Sequence, residues 1–253
     1  MNGRLRTLLL ALFLIDLAAG LVLFLPLAGR RNAGVKFYRM VFIIGAALAA
    51  CAAAAHAMAG GRELAVVDAV PVALTVFVWF VLRYPKRLVF RIPAALLGGA
   101  YVVAAVAAWR AGVQAPWAWS IAGALASVAL LGSVNLAMIL GHWYLVVRGM
   151  AIDPLKRLTV ATLVAAVVRI LVVAAALCAT GVWSEIAVRQ GIFFWMRAGW
   201  GLIGPLLLYP MVWGTVKIRS TMAATGILYV DVVAVVIGEV LGGWLSAIAH
   251  VPV

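Results

Sequence analysis

Acidic residues are scarce in this sequence, and charge of any kind is low. Only 7 Asp and Glu residues occur among 253, charged residues make up 11% of the chain, and 68% of it is hydrophobic. A soluble domain has about a quarter charged and about half apolar residues. The composition therefore predicts an integral membrane protein rather than a soluble one.

Lys and Arg outnumber the acids, 20 to 7. In a soluble protein this excess would indicate nucleic-acid binding. Here the basic residues lie mostly in short breaks between apolar runs, so we expect no nucleic-acid partner. We interpret them instead as topology determinants that contact the headgroups of membrane lipids.

Cysteine clusters and catalytic motifs are also missing. The two cysteines, Cys51 and Cys178, both lie inside apolar runs and form no CxxC motif, so we expect no zinc or iron–sulfur site. No HExxH, GxSxG, Walker A or dinucleotide-binding motif occurs. The sequence thus favours a non-catalytic or quinone-contacting subunit over a self-contained enzyme.

What the sequence has instead is long apolar runs. A transmembrane helix needs about 20 mainly apolar residues, and we count eight candidates in a single transmembrane domain covering 1–253. The N-terminal run begins like a signal peptide but is too long for one, so we expect an uncleaved first span. The prediction is an all-α, polytopic membrane bundle with spans near 7–28, 37–58, 64–82, 88–109, 117–147, 158–182, 191–216 and 222–248.

The distribution of basic residues predicts an orientation. The odd-numbered loops carry eleven Lys and Arg, whereas the N-terminal tail and the other loops carry Arg4, Arg6, Arg62, Arg110 and Arg189. The positive-inside rule places the richer side in the cytoplasm. We therefore expect a bacterial inner membrane protein with both termini in the periplasm. The eleven are Arg30, Arg31, Lys36, Arg83, Lys86, Arg87, Arg148, Lys156, Arg157, Lys217 and Arg219.

Several ionisable residues fall inside the predicted spans, where charge is costly and is usually paired. Arg39, Asp68 and Arg91 lie near span ends, where a long side chain can reach the membrane surface. Deeper in the membrane, the helical rise suggests an Arg169–Asp231 pair and an Arg197–Glu239 pair. Asp16 has no obvious partner. These five deep residues are interpreted either as structural ion pairs or as a proton path: Asp16, Arg169, Asp231, Arg197 and Glu239.

Glycine and proline indicate where helices approach closely or bend. Gly238 and Gly242 form a GxxxG motif in the last span, which is typical of close helix packing. Pro205 and Pro210 lie in the seventh span, and proline removes a backbone donor. The seventh span is therefore the one we expect to be bent.

The three histidines suggest redox ligands. His142 is followed directly by Trp143 and Tyr144 near a predicted membrane surface. It can hydrogen-bond a quinone carbonyl or bind haem iron from one side, although an ordinary interfacial histidine fits the same pattern. His56 and His250 lie at similar predicted depth and can together form a bis-histidine haem site. Quinone is favoured, and haem b is the weaker alternative.

These observations lead to one functional prediction and two alternatives. The first is a membrane subunit of a respiratory or electron-transfer complex that contacts quinone and anchors partner subunits. Its predicted site joins His142, Trp143 and Tyr144 with Arg169 and Asp231. The alternatives are a transporter or proton-conducting protein that uses the buried charges, and a cofactor-free structural subunit.

Overall fold

The computed structural model describes residues 3–81, 87–147 and 149–253, with 87–91 as backbone only, and all regular structure in these ranges is helical. The predicted all-α membrane bundle is confirmed. Arg83, Lys86, Arg148 and the side chains of Arg87 and Arg91 lie outside the described residues. The helices are α1 Gly3–Ala28, α2 Gly34–Met58, α3 Arg62–Val81, α4 Arg87–Val113, α5 Trp117–Val146, α6 Asp153–Thr180, α7 Trp183–Arg189, α8 Ile192–Met196, α9 Gly204–Lys217 and α10 Thr221–Ala249.

Seven helical stretches among the described residues are long and apolar enough to cross a membrane, and the first of them covers 56 residues. This stretch folds back on itself at a wide π-helical turn, Gly29–Ala33. Gly29 and Gly34 have φ values of 68° and 81° at the two ends of that turn, a conformation that glycine adopts without a steric penalty. Across the resulting hairpin, the Tyr38 hydroxyl donates to the carbonyl of Leu25 at 3.1 Å. If α1 and α2 are counted separately, the described residues contain eight helical segments long enough to cross a membrane, the number predicted.

The helix α5 lies at the centre of the bundle, packed against α1, α4, α6 and α10. Small residues make this central position possible. A Cβ atom added to Gly20 of α1 or to Gly132 of α5 would overlap backbone atoms of the opposite helix. The two backbones are therefore in direct contact at this crossing, as small residues allow in membrane bundles.

The seventh membrane-length segment, in which the prolines predict a bend, is interrupted by a π-helical segment. It consists of α8, a π-helical segment Arg197–Ile203, and α9. Pro205 in the first turn of α9 has no N–H group to donate to the preceding turn. Widened π turns often occur at functional positions, and this one begins at the buried residue Arg197.

The sixth span begins five residues earlier than predicted, at Asp153 rather than at 158. Asp153 and Pro154 occupy its first turn. An acid is favoured at the positive end of the helix dipole, and proline is tolerated in the first turn of a helix. The helix therefore extends beyond the apolar run from which its start was predicted.

Candidate functional site

Three charged side chains meet in the interior of the bundle. The Glu239 carboxylate of α10 accepts two hydrogen bonds from Arg169 of α6, from Nε at 3.0 Å and from Nη2 at 2.9 Å. Arg197 Nη2 lies 2.9 Å from Glu239 Oε1, within ion-pair distance but without hydrogen-bond alignment. All three residues are buried. One carboxylate thus joins α6, α10 and the π segment.

This arrangement corrects the predicted Arg169–Asp231 pair, whereas the predicted Arg197–Glu239 contact is present. Arg169 lies 16 residues beyond the first residue of α6, and Glu239 lies 18 residues beyond the first residue of α10. Asp231 lies only 10 residues along α10, which places it about 9 Å from the level of Arg169 at about 1.5 Å per residue. The late predicted start of α6 made Asp231 look like the partner at the same depth.

Glycines make room for the Arg197 guanidinium. A Cβ atom at Gly242 would lie 2.8 Å from Arg197 Nε, and Cβ atoms at Gly201 and Gly238 would lie 3.3 and 3.2 Å from Arg197 Nη1. Arg197 Nε donates to the backbone oxygen of Val253 at 3.2 Å. The GxxxG motif therefore has two roles: Gly238 contacts the backbone of Gly201, and Gly242 accommodates an arginine.

Asp16 of α1 extends the cluster towards α4. Its Oδ2 atom accepts a hydrogen bond from Trp109 Nε1 at 2.8 Å. The Arg169 guanidinium carbon lies 5.5 Å from the centroid of the same indole ring, a cation–π distance. Ser127 of α5 lies beside both Asp16 and Glu239. Asp16, left without a partner by the sequence prediction, thus belongs to one buried polar cluster with the two arginines and Glu239.

Some polar atoms of this cluster have unused hydrogen-bonding capacity. Among the described residues, Arg169 Nη1, Arg197 Nη1 and Asp16 Oδ1 are buried without a hydrogen-bond partner. Buried polar atoms are normally satisfied by protein or by ordered water. The cluster can therefore accept a polar ligand or water without first breaking an internal bond at these atoms.

A lateral crevice of about 450 Å³ reaches the cluster from the membrane side, and we call it the α1–α10 crevice. Its ends are marked by Glu239 in the interior and by Arg6 near the start of α1. Everything else in its lining is apolar or aromatic, namely Leu9, Leu10, Leu12, Phe13, Phe193, Val240, Leu241, Gly243 and Trp244. An apolar pocket with a few convergent polar groups is typical of a small-molecule site.

The predicted site around His142 is not assembled, which corrects the prediction that joined it to Arg169 and Asp231. Residues 130, 131 and 134 of α5 share an apolar cluster with 165 and 166 of α6, so Arg169 lies near the level of Leu130. His142 is 12 residues further along α5, or about 18 Å away along the helix axis. Sequence spacing alone could not show that these residues lie at different depths.

The aromatic neighbours of His142 are used in local structure. Trp143 Nε1 donates to the carbonyl of Ala33 at 3.2 Å, in the turn between α1 and α2. The Tyr144 hydroxyl donates to the carbonyl of Ala151. His142 itself is exposed, as an interfacial histidine would be.

Asp231 is separate from the Arg–Glu–Arg cluster. It is buried, and its Oδ1 atom has no hydrogen-bond partner among the described residues. It lies eight residues before Glu239 on the same helix, about 12 Å away along the axis.

The other two histidines have different partners. His56 Nδ1 lies 2.6 Å from Asp68 Oδ2, and both side chains are fully buried. His250 Nδ1 lies 2.9 Å from the carbonyl of Val113. Asp68 was predicted to reach towards the membrane surface, so its buried pairing is a correction. The sequence did contain a signal for this pair. His56 lies four residues before Gly60 and Asp68 lies seven residues after Gly61, so the two differ in depth by less than one helical turn across the α2–α3 hairpin.

In the part of the chain that the structure describes, no three His, Cys, Asp or Glu side chains are grouped closely enough to hold a metal ion. Cys51 and Cys178 are both free and exposed.

No protein-family model, no curated protein and no solved structure matches this chain, so its function is inferred from its own residues.

Proposed function

We propose that this chain is an integral membrane subunit of an electron-transfer complex and that it binds a quinone in the α1–α10 crevice. The observation that carries the proposal is the apolar crevice of about 450 Å³ that ends at Glu239, between two buried arginines. The volume lies within the range of ordinary ligand pockets, about 300–1,000 Å³. The site proposed from the sequence around His142 is thereby replaced by one around Glu239.

The chemistry of the crevice suits the two ends of a quinone. Its apolar lining matches an isoprenoid tail entering sideways from the bilayer. The carbonyl oxygens of a quinone accept hydrogen bonds, for which the guanidinium group of Arg6, in the lining of the crevice, is a suitable donor. The hydroxyl of the reduced form donates a hydrogen bond, and the Glu239 carboxylate is an acceptor at the inner end of the crevice.

In this proposal the partner subunits bind at the opposite, basic end of the bundle. Arg30 and Arg31 lie in the α1–α2 turn, Lys156 and Arg157 lie near the start of α6, and Lys217 ends α9. The positive-inside rule favours the cytoplasm for this end, and in this proposal the membrane is a bacterial inner membrane with both termini in the periplasm. Thiol labelling of intact cells tests the orientation, with a single cysteine placed at residue 3 or in the α1–α2 turn of a variant that lacks Cys51 and Cys178. Only the cysteine at residue 3 is expected to react with an impermeant reagent.

The quinone site is tested by filling the crevice. Val240 lines it and Val233 does not, although both valines are on α10 and about half exposed, at 50% and 52%. Two measurements are made on the wild type and on the variants Val240→Trp and Val233→Trp. One is the quinone extracted from the gently purified protein, and the other is a titration with a short-tailed quinone, followed by tryptophan fluorescence. We expect Val240→Trp to lower affinity at least tenfold and Val233→Trp to leave it unchanged. The proposal fails if the wild-type protein neither retains nor binds quinone, or if Val240→Trp binds like the wild type.

Asp231 supports a second candidate, a proton-conducting protein. A buried carboxyl oxygen without a hydrogen-bond partner is the feature expected of an intramembrane proton carrier. Proteoliposomes with an internal pH-sensitive dye test it: conduction that is present in the wild-type protein and absent in Asp231→Asn would favour this function. Equal dye traces with and without the protein would remove the candidate.

A further inference from the structure

A second membrane-facing concavity lies at the basic end of the bundle, away from the α1–α10 crevice. It has a volume of about 580 Å³ and runs between α1, α6 and α9; we call it the α6 groove. One end of it carries Lys156 and Arg157, and its wall includes Trp213 of α9. None of these residues belongs to the buried polar cluster.

The floor of the groove is an apolar stripe on α6. Val160, Val164 and Val168 follow one another at intervals of four residues and are exposed by 40%, 55% and 42%. Positions four apart lie on one face of a helix. The stripe spans about 12 Å along the helix axis, which is enough to accommodate the upper part of an acyl chain.

The cations at the end of the groove are free to bind a ligand. Neither Lys156 nor Arg157 forms a salt bridge with any residue that the structure describes. Lys217 lies close by, because its Nζ atom is 5.5 Å from the centroid of the Trp213 ring. Asp153 in the first turn of α6 is the acid nearest to them in sequence. Two cations therefore line the groove together with Trp213, and a third lies against the ring of that tryptophan.

We propose that the α6 groove is a binding site for an anionic glycerophospholipid. The phosphate lies against Lys156 and Arg157, with Lys217 contributing to the positive field, and one acyl chain lies along the valine stripe. Charge complementarity carries the choice of occupant, because clustered Lys and Arg at the end of a transmembrane helix attract anionic lipids. A quinone has no anionic group for these cations to bind.

The test is native mass spectrometry of the full-length protein in mild detergent, titrated separately with phosphatidylglycerol and phosphatidylcholine. We expect phosphatidylglycerol to bind at least about tenfold more tightly. The double variant Lys156→Gln/Arg157→Gln is expected to lose this preference, and Val164→Trp is expected to bind neither lipid in the groove. The preference should also weaken as salt rises, because the headgroup contacts are exposed.

Matched controls lie on the same end and on the same helix. Arg31→Gln/Lys36→Gln removes two exposed cations that do not line the groove. Val167→Trp changes a neighbouring valine of α6, 41% exposed, that also does not line it. Both controls are expected to keep the wild-type preference.

Three results would overturn the proposal. The first is equal binding of the two lipids by the wild-type protein. The second is a Lys156→Gln/Arg157→Gln variant that keeps the preference. The third is a dimer in the wild-type spectrum that Val164→Trp abolishes and lipid does not, because the groove would then be covered by a second copy of the chain.

Discussion

The α1–α10 crevice and the α6 groove are of similar size, about 450 and 580 Å³, and both are mainly apolar. Both have cations in their lining that are not buried, Arg6 in the crevice and Lys156 and Arg157 in the groove, but only the crevice also has a buried charge. Its inner end is Glu239, a buried acid held by two buried arginines. The same residue types therefore have different roles. Desolvated arginines hold helices together, and solvated ones remain available to a ligand.

The largest expected effect comes from breaking the buried cluster. In Glu239→Gln the two arginines lose the charge that both contact, and removing one partner of a buried ion pair costs about 3–5 kcal/mol. For a chain of this size we expect the midpoint of thermal unfolding in detergent to fall by roughly 10 °C.

The control for this change is Glu185→Gln, which breaks the exposed Glu185–Arg189 pair. Surface pairs four residues apart on a helix contribute only about 0.3–0.5 kcal/mol, so this midpoint should stay near the wild-type value. Equal midpoints for the two variants would mean that burial does not distinguish the two kinds of ion pair.

A smaller loss is expected from the helix crossing between α1 and α5. In Gly132→Ala the new methyl group would overlap the backbone of Gly20, and forced overpacking costs about 1–3 kcal/mol. Gly226→Ala is the control, because a Cβ atom there has nothing within 4 Å, and alanine in a helix is favoured over glycine by about 1 kcal/mol. The midpoint of thermal unfolding should therefore fall in Gly132→Ala and rise in Gly226→Ala. A fall in Gly226→Ala without a fall in Gly132→Ala would contradict the close contact of Gly132 with Gly20.

Trp109→Phe tests the link between the cluster and α4. It removes the donor to Asp16 Oδ2, and a buried acceptor left without its donor costs about 1–3 kcal/mol. Trp183→Phe, at an exposed tryptophan, should have little effect in the same unfolding measurement. If Asp16→Asn and Trp109→Phe proved additive when combined, the two residues would not be energetically coupled.

The smallest effect on stability is expected at the α6 groove. Lys156→Gln/Arg157→Gln breaks no salt bridge to a described residue. In lipid-free detergent its free energy of unfolding should therefore differ from that of the wild type by no more than about 0.5 kcal/mol. Added phosphatidylglycerol should raise the midpoint of the wild type, because a ligand that binds only the folded state stabilises it. A similar rise in the midpoint of the double variant would mean that the lipid stabilises the protein without binding these two cations.

Part of the site could be predicted from the sequence. Arg169, Arg197, Glu239 and Asp16 stand out as charges within apolar runs, and such residues usually face the interior of a bundle. Their partners could not all be predicted, because an error of five residues in the start of α6 changes depth by about 7.5 Å. That error was enough to replace Glu239 with Asp231 as the partner of Arg169.

The His142 site shows the other limit of sequence spacing. A histidine next to two aromatic residues is the same pattern whether it lines a cavity or faces the membrane surface. The structure distinguishes the two, since Trp143 and Tyr144 are bonded to nearby loop carbonyls and His142 is exposed.

The sequence by itself determined that this protein is a bundle of transmembrane helices. Apolar runs of about 20 residues must satisfy their own backbone hydrogen bonds in lipid, and helices do so within each run. Only the tertiary structure decided that Arg169 and Arg197 share Glu239, that Gly242 makes room for an arginine, and that His56 pairs with Asp68. These contacts depend on the relative depth and rotation of neighbouring helices, which are set by the packing of small residues across helix crossings and not by the spacing within any one helix.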